Sequence, residues 1–258
     1  MKLPATLDPK TRAGVYAAAA PFPHIVIDDF LPVATYRALR DEFPKPDADI
    51  WLQYRSGREN KKLQSRDHSR IPAVFRELID VLNGPDFLCE LEALTGIDGL
   101  IADPALTGGG LHQTLPGGHL AMHVDYNRHR VTGDARRLNV ILYLNDEWVD
   151  AWGGHLEFWG ANMTEKGPSI SPIGNRLVIF STSEQSWHGH PEALACPSGV
   201  TRRSVALYYY TAEVAEQAQT HSTIFRERPG ERFHVTARER FASVIRRLVA
   251  NRARGREA

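Results

Sequence analysis

Between Leu100 and Thr211 the chain breaks into short runs rich in β-branched and aromatic residues, punctuated by Gly and Pro. They are "GGGLHQTLPGGHLAMHVD", "RRLNVILYLND", "WGGHLEFW", "SPIGNRLVIFST" and "RRSVALYYYT". Closely spaced short strands with turn signals between them are the pattern of a β-sandwich or barrel. That stretch decides the fold, because everything else must pack around it.

What precedes it is mostly helical. Residues up to about Pro21 read as a loose arm, and "HIVIDDF" (His24 to Phe30) as a short strand. "LPVATYRALRDEFP" puts Tyr36, Leu39 and Phe43 on one helical face, and Pro44 stops it. In "IPAVFRELIDVLNG" the residues Ile71, Val74, Phe75, Leu78, Ile79 and Leu82 form a three-four apolar stripe. A further helix turns Phe87, Leu88, Leu91 and Leu94 inward and closes at Gly96. After the β region, "RERFASVIRRLVANR" places Phe241, Val244, Ile245, Leu248 and Val249 on one face. The class is α+β, with a β core and supporting helices. The expected divisions are 1–99 (strand and helical support), 100–212 (β core) and 213–258 (an Arg-rich extension with a helix).

Composition narrows the function. The 258 residues carry a formal net charge of +0, so no global field gathers nucleic acid or a membrane surface. The Arg-rich tail is interspersed with glutamates, which fits a solvated amphipathic helix or a homodimer contact better than a nucleic-acid module. No apolar run approaches the ~20 residues needed to span a bilayer. Cys89 and Cys196 are the only cysteines. With no disulfide framework and no signal-like layout at the N-terminus, the expectation is a cytoplasmic protein.

"HVDYNRH" raises the chemical question. On a strand, residues i and i+2 face one side about 7 Å apart, so His123 and Asp125 can reach one ion while Val124 faces away. His-x-Asp alone is a weak signal. A distant strand must add a second histidine, and "FSTSEQSWHGHPEAL" offers His188 and His190 after an apolar strand. Two imidazoles and one carboxylate on one face of a metal leave the opposite positions open, which suits non-haem Fe(II). Farther on, "TRRSVALYYY" puts Arg202, Ser204, Ala206 and Tyr208 on one face and Arg203 and Val205 on the other. An arginine fork there can hold a carboxylate through two hydrogen bonds, although a surface salt bridge is the commoner use.

Taken in order, "HVD", "RRLNVILYLNDEW", "WGGHLEFW", "NRLVIF…SWHGHP" and "TRRSVALYYY" resemble the Fe(II)- and 2-oxoglutarate-dependent dioxygenases, in particular the prolyl-4-hydroxylase-like branch. The resemblance runs from about Phe22 to Thr211 and is densest after His119. It implies a double-stranded β-helix, or jelly roll. It implies iron ligands at His123, Asp125 and His188, the last favoured over His190 because it directly follows "SW". It places Arg202, rather than Arg203, and Tyr143 on the distal carboxylate of 2-oxoglutarate, with Ser204 completing an Arg-x-Ser pattern. The implied cofactors are Fe(II), 2-oxoglutarate and O₂, with ascorbate as a reductant of uncoupled turnovers. The implied reaction is hydroxylation of an unactivated C–H bond with release of succinate and CO₂. Asp125 itself argues for hydroxylation, since related halogenases lack this carboxylate.

The substrate is a peptidyl or free proline by resemblance, or another amino acid or small metabolite. Asn139 shares a face with Ile141 and Tyr143. A buried amide needs partners, which co-substrate, substrate or a neighbouring strand could supply. His129 and Arg128 follow the metal strand in a loop and could line the substrate entrance, and the charges of Arg128, His129, Arg130 and Arg136 suggest an anionic or carboxylate-bearing substrate, although a solvated loop is the plainer reading. His112, His119 and His155 read as satisfied strand or surface histidines. Trp148, Trp152, Trp159 and Trp187 read as core and rim packing. Two other classes stay open: a non-catalytic metal- or ligand-binding jelly roll, and a zinc hydrolase using the same ligands.

Overall fold

In this computed structural model the described residues are 7–212 and 219–233. The chain runs α1 (Pro9–Ala18), β1 (His24–Ile27), α2 (Val33–Asp41), β2 (Leu52–Arg55), β3 (Glu59–Ser65), α3 (Ala73–Leu82) and α4 (Pro85–Thr95). The β region follows as β4 (Leu100–Ala102), β5 (Gly110–Val124), β6 (Ala135–Tyr143), β7 (Leu156–Trp159), β8 (Lys166–Ile170), β9 (Leu177–Ser181), β10 (Trp187–His190) and β11 (Arg202–Thr211). A short β12 (Ile224–Phe225) ends the described strands. No described helix is long and apolar enough to cross a membrane.

The strands curl into a jelly-roll core in the order β1-β9-β6-β11-β5-β10-β7-β8, and all the pairings are antiparallel. Two strands show how sequence period assigns the faces. On β6, Leu138, Val140 and Leu142 join the main apolar cluster, while Asn139 and Tyr143 face the other way. On β11, Val205, Leu207 and Tyr209 join that cluster, while Arg202, Ser204, Ala206 and Tyr208 line a cavity. This is period-two alternation with both faces buried. The helices cover the outer face with Leu39, Phe75, Leu78, Ile79, Leu82, Phe87, Leu91 and Leu94. Each such side chain contributes roughly 1.5–3 kcal/mol by leaving water. Tyr209 reaches through this layer and donates a hydrogen bond to Leu82 O at 2.9 Å.

β5 is the long spine. Its first part pairs with β11 and β3, and its last part pairs with β10 and β12. The bend between them falls at Pro116–Gly118. Gly117 has φ +75°, and a Cβ on Gly118 would stand 2.8 Å from Asn60 O.

Two local expectations are revised, and one stretch with no expected element forms a hairpin. The loose arm contains α1, whose Tyr16 is buried and bonded to Ser181 at 2.6 Å. The strand read through Phe30 stops at Ile27, and Asp29, with φ +52°, turns the chain away. The polar stretch around 52–65 forms the β2–β3 hairpin laid against β5. The C-terminal helix built on Phe241, Val244, Ile245, Leu248 and Val249 lies outside the described residues.

Candidate active site

β5 delivers His123 at its end and Asp125 just beyond it, and β10 delivers His188 directly opposite His123. Cross-strand neighbours on one face come within about 4.5–5.5 Å at Cβ, which is why two histidines far apart in sequence meet. One donor atom from each of His123, Asp125 and His188 lies within 4.8 Å of the others. His123 Nε2 is 3.6 Å from Asp125 Oδ1, and His188 Nε2 is 3.3 Å from Asp125 Oδ2. The other ring nitrogens are occupied: His123 Nδ1 lies 2.9 Å from Ala121 O, and His188 Nδ1 lies 2.8 Å from Ser186 O. Each backbone carbonyl therefore fixes the tautomer that leaves Nε2 as the donor to a shared point.

Asp125 is held from behind. Asn139 Nδ2 donates to its Oδ2 at 2.8 Å, and Arg136 Nη2 lies 3.0 Å from the same oxygen. Arg136 Nε and Nη2 also donate to Asn139 Oδ1, at 3.1 and 2.6 Å. Burial pushes the carboxyl's pKa up, but the charges of Arg136 and His188 outweigh it and hold Asp125 well below the usual carboxylate range. For His188, burial and then the neighbouring His123 pull the pKa down, so the ring is held neutral as a metal ligand requires.

The triad faces a cavity of about 340 Å³. Arg202 reaches into it from β11, with Nη2 2.9 Å from Tyr143 Oη and Nε donating to Gly154 O at 2.7 Å. Its side chain is buried, and among the described residues no carboxylate pairs with it. Burial lowers its pKa, and the tyrosine opposes that. A buried guanidinium without a counter-charge is costly unless an anion arrives. Ser204 and Asn139 line the same cavity. Arg203 points out of it, its guanidinium over the Phe43 ring at 5.5 Å. His190 lines the cavity beside Arg202 but is not among the three clustered residues, and its buried Nδ1 has no partner.

The entrance differs from expectation. His129 is buried, with Nε2 3.0 Å from Thr107 Oγ1 and 3.5 Å from Asp103 Oδ2, and it does not line the cavity. Arg130 and Arg136 do. The β2–β3 hairpin contributes Tyr54, Glu59, Lys62 and Gln64, and the later segment contributes Thr223 and Phe225. Phe225 packs on the His123 ring with centroids 5.5 Å apart. Tyr208 was recoverable from the face it shares with Arg202. The hairpin and Phe225 carry no apolar alternation that would mark them. His112 and His155 are satisfied by Gly108 O at 3.1 Å and Asp150 at 3.2 Å, and His119 sits on β5 opposite Asn60. Trp159 and Trp187 pack with Met122, Val124 and Met163, and Trp148 with Leu194 and Cys196.

Residues 109–210 match the model of the 2OG-Fe(II) oxygenase superfamily. Over that stretch the β core is similar to that superfamily. Solved structures agree on the fold of this core. A Pseudomonas putida prolyl-4-hydroxylase is 20% identical with a TM-score of 0.53, covering 78% of this chain and 99% of its own. A Trichoplax adhaerens prolyl hydroxylase, solved with a peptide fragment of hypoxia inducible factor, is 16% identical with a TM-score of 0.57, covering 78% and 88%. HygX from Streptomyces hygroscopicus, solved with nickel, 2-oxoglutarate and hygromycin B, is 13% identical with a TM-score of 0.53, covering 78% and 87%. No curated protein matches the chain by sequence.

The oxygenase cofactors fit the residues present. Two imidazole nitrogens and one carboxylate converge on one point, the donor set suited to Fe(II). The uncompensated Arg202 with Tyr143 beside it suits the far carboxylate of 2-oxoglutarate.

Proposed function

We propose that this oxygenase hydroxylates an unactivated C–H bond of a peptidyl or free proline, or of another amino acid or small metabolite. Substrate C–H, 2-oxoglutarate and O₂ become the hydroxylated product, succinate and CO₂. The reading is carried by one observation: three convergent ligand atoms within 4.8 Å share a cavity with a buried, uncompensated Arg202.

His123, Asp125 and His188 would hold the iron, and Arg202 with Tyr143 would hold the distal carboxylate of the co-substrate, with Ser204 beside them. When bound, iron and 2-oxoglutarate supply the oxidising power that the side chains lack. The protein's own work is positional. Backbone carbonyls aim the two imidazoles, Arg136 and Asn139 hold Asp125, and the apolar wall of Phe158, Phe180 and Leu156 keeps one side of the site dry. Asn139, whose amide is engaged by Asp125 and Arg136, acts through the metal carboxylate.

Similarity to solved prolyl hydroxylases makes proline compounds the first to test. Ascorbate as a reductant is proposed on resemblance alone. Cytoplasmic residence is proposed from two unpaired cysteines, Cys89 and Cys196. Fe(II) and 2-oxoglutarate added anaerobically should produce the weak visible band of the chelate. Turnover should release succinate and give a product one oxygen atom heavier. A protein that binds metal yet shows neither would be a zinc hydrolase or a non-catalytic jelly roll.

A further inference from the structure

The cavity's charge is lopsided. Its cationic lining comprises Lys62, Arg66, Arg130, Arg136 and Arg202, against two carboxylates, Glu59 and Asp125. Glu59 is taken by Lys62 at 3.0 Å, and Asp125 faces the metal position. Arg202 is assigned to the co-substrate. Three arginines then remain beyond the co-substrate's, and of these only Arg136 has an anion beside it, the Asp125 that also faces the metal position.

Two of them stand at the mouth. Arg66, just after the β2–β3 hairpin, and Arg130, between β5 and β6, are both exposed. Among the described residues neither guanidinium makes an ion pair or hydrogen bond. The third lies inside. Arg136 has a side chain 1% exposed, and its Nη1 is buried without a partner. The guanidinium is clamped 3.5 Å from the Tyr208 ring centroid and 4.6 Å from that of Tyr126. It is pre-set, because stacking and the bonds to Asn139 and Asp125 leave it no other rotamer to prefer. A buried N–H is normally satisfied, and Arg136 is one of the residues lining the cavity, so its unpartnered Nη1 is the group an incoming acceptor would satisfy.

Resting on the hydroxylase reading, we propose that the substrate is a small free carboxylic acid, amino acids included, whose carboxylate docks on Arg136 after capture by Arg66 and Arg130. Two features favour a small molecule over a peptide. The cavity of about 340 Å³ sits near the lower end of the ~300–1,000 Å³ usual for ligand sites, and it must also take 2-oxoglutarate. Moreover, Arg136 Nη2 is already 3.0 Å from the metal-facing Asp125. A carboxylate on the same guanidinium puts the oxidised carbon only a few bonds from it, and an internal peptide residue has no carboxylate there. The two mouth arginines raise the local concentration of anions and speed their entry, an effect that salt weakens.

The test uses the anaerobic Fe(II)·2-oxoglutarate protein and its visible chelate band. The free amino acids and small mono- and dicarboxylic acids are titrated singly, beside their methyl esters and N- and C-blocked dipeptides. At least one free acid should perturb the band, and its ester should not. The Arg66→Gln/Arg130→Gln protein, checked by its own chelate band for an assembled metal site, should need at least tenfold more of that acid. Arg136→Lys should lose the response, with the surface double variant serving as the folding-neutral comparison. Equal response to acid and ester, response to blocked dipeptides alone, or no response to any free acid would overturn the inference while leaving the cofactor reading intact. Absence of the band in the wild-type protein would instead remove the hydroxylase reading, and this inference with it.

Discussion

His188 lies directly across from His123 on neighbouring antiparallel strands, with ring centroids 4.4 Å apart. The register of one strand pair thus brings together two of the three proposed ligands. His190, two residues on, shifts register to pair with Leu120.

That geometry separates the two histidines by experiment. His188→Ala should lower metal affinity by at least a hundredfold in an anaerobic Mn(II) or Fe(II) titration. His190→Ala should keep affinity within a few fold, since His190 lies outside the ligand cluster. Comparable losses in both would reassign the distal ligand.

Asn139 ties Arg136 to Asp125 through three hydrogen bonds. Asn139→Leu, close in volume but without polar atoms, should weaken metal binding or turnover by about 10–100-fold, the usual effect of losing an outer partner of a ligand. Asn139→Asp should do worse, because it sets a second carboxylate against Asp125. Unchanged metal affinity in both variants would refute the positioning role.

Arg202 and Tyr143 should share a task unequally. A hydrogen bond to a charged group contributes about 1.5–3 kcal/mol, or roughly 10–150-fold. Arg202→Gln should raise the KM for 2-oxoglutarate at least that much, and Tyr143→Phe by about tenfold or less. Steady-state succinate release read at varied 2-oxoglutarate distinguishes them. A Tyr143→Phe effect as large as that of Arg202→Gln would show that the phenol, not the guanidinium, dominates.

His112 sets a pH limit on stability. Burial, with the charge of Lys62 adding to it, pushes its pKa down to about 3, against 6.5 in an unfolded chain. As pH falls below 6.5 the unfolded state takes up a proton that the folded state refuses. Its contribution is therefore present above pH 6.5 and is lost progressively down toward pH 3, at up to about 1.4 kcal/mol per pH unit. His112→Gln should flatten the decline of urea stability between pH 6 and 4. An identical slope would show that His112 is not the group responsible.

Gly118 and Gly14 offer a structural contrast. A Cβ at Gly118 meets Thr114 Cγ2 at 2.6 Å and two backbone oxygens at 2.8 Å, whereas one at Gly14 meets nothing within 4 Å. Gly118→Ala should destabilise by about 1–3 kcal/mol, as overpacking does. Gly14→Ala, in α1, should gain up to about 1 kcal/mol. Chemical denaturation of both variants checks the pair.

Much of this was written in alternation. "RRLNVILYLN" and "TRRSVALYYY" declare their two faces, so Asn139 could be grouped with Tyr143 and Arg202 with Ser204, while the resemblance supplied which face turns inward. His123 and Asp125 followed from the same rule. The partnership with His188 did not, because no local pattern encodes which distant strand pairs with β5; family resemblance supplied it. The hairpin stayed hidden because "LQYR" and "ENKKLQS" are polar on both sides, with burial confined to Leu63, Gln64 and Ser65. In α1 a single buried Tyr16 leaves no stripe to read. His129 misled because its partners, Asp103 and Thr107, come from more than twenty residues upstream.

Phe225 belongs to a segment downstream of residues 109–210, yet it hydrogen-bonds alongside the ligand strand and roofs His123. A fragment trimmed to the recognisable family span would keep every proposed metal ligand and still lack a wall. The smallest piece able to shelter a reaction from solvent is thus longer than the piece that announces the chemistry.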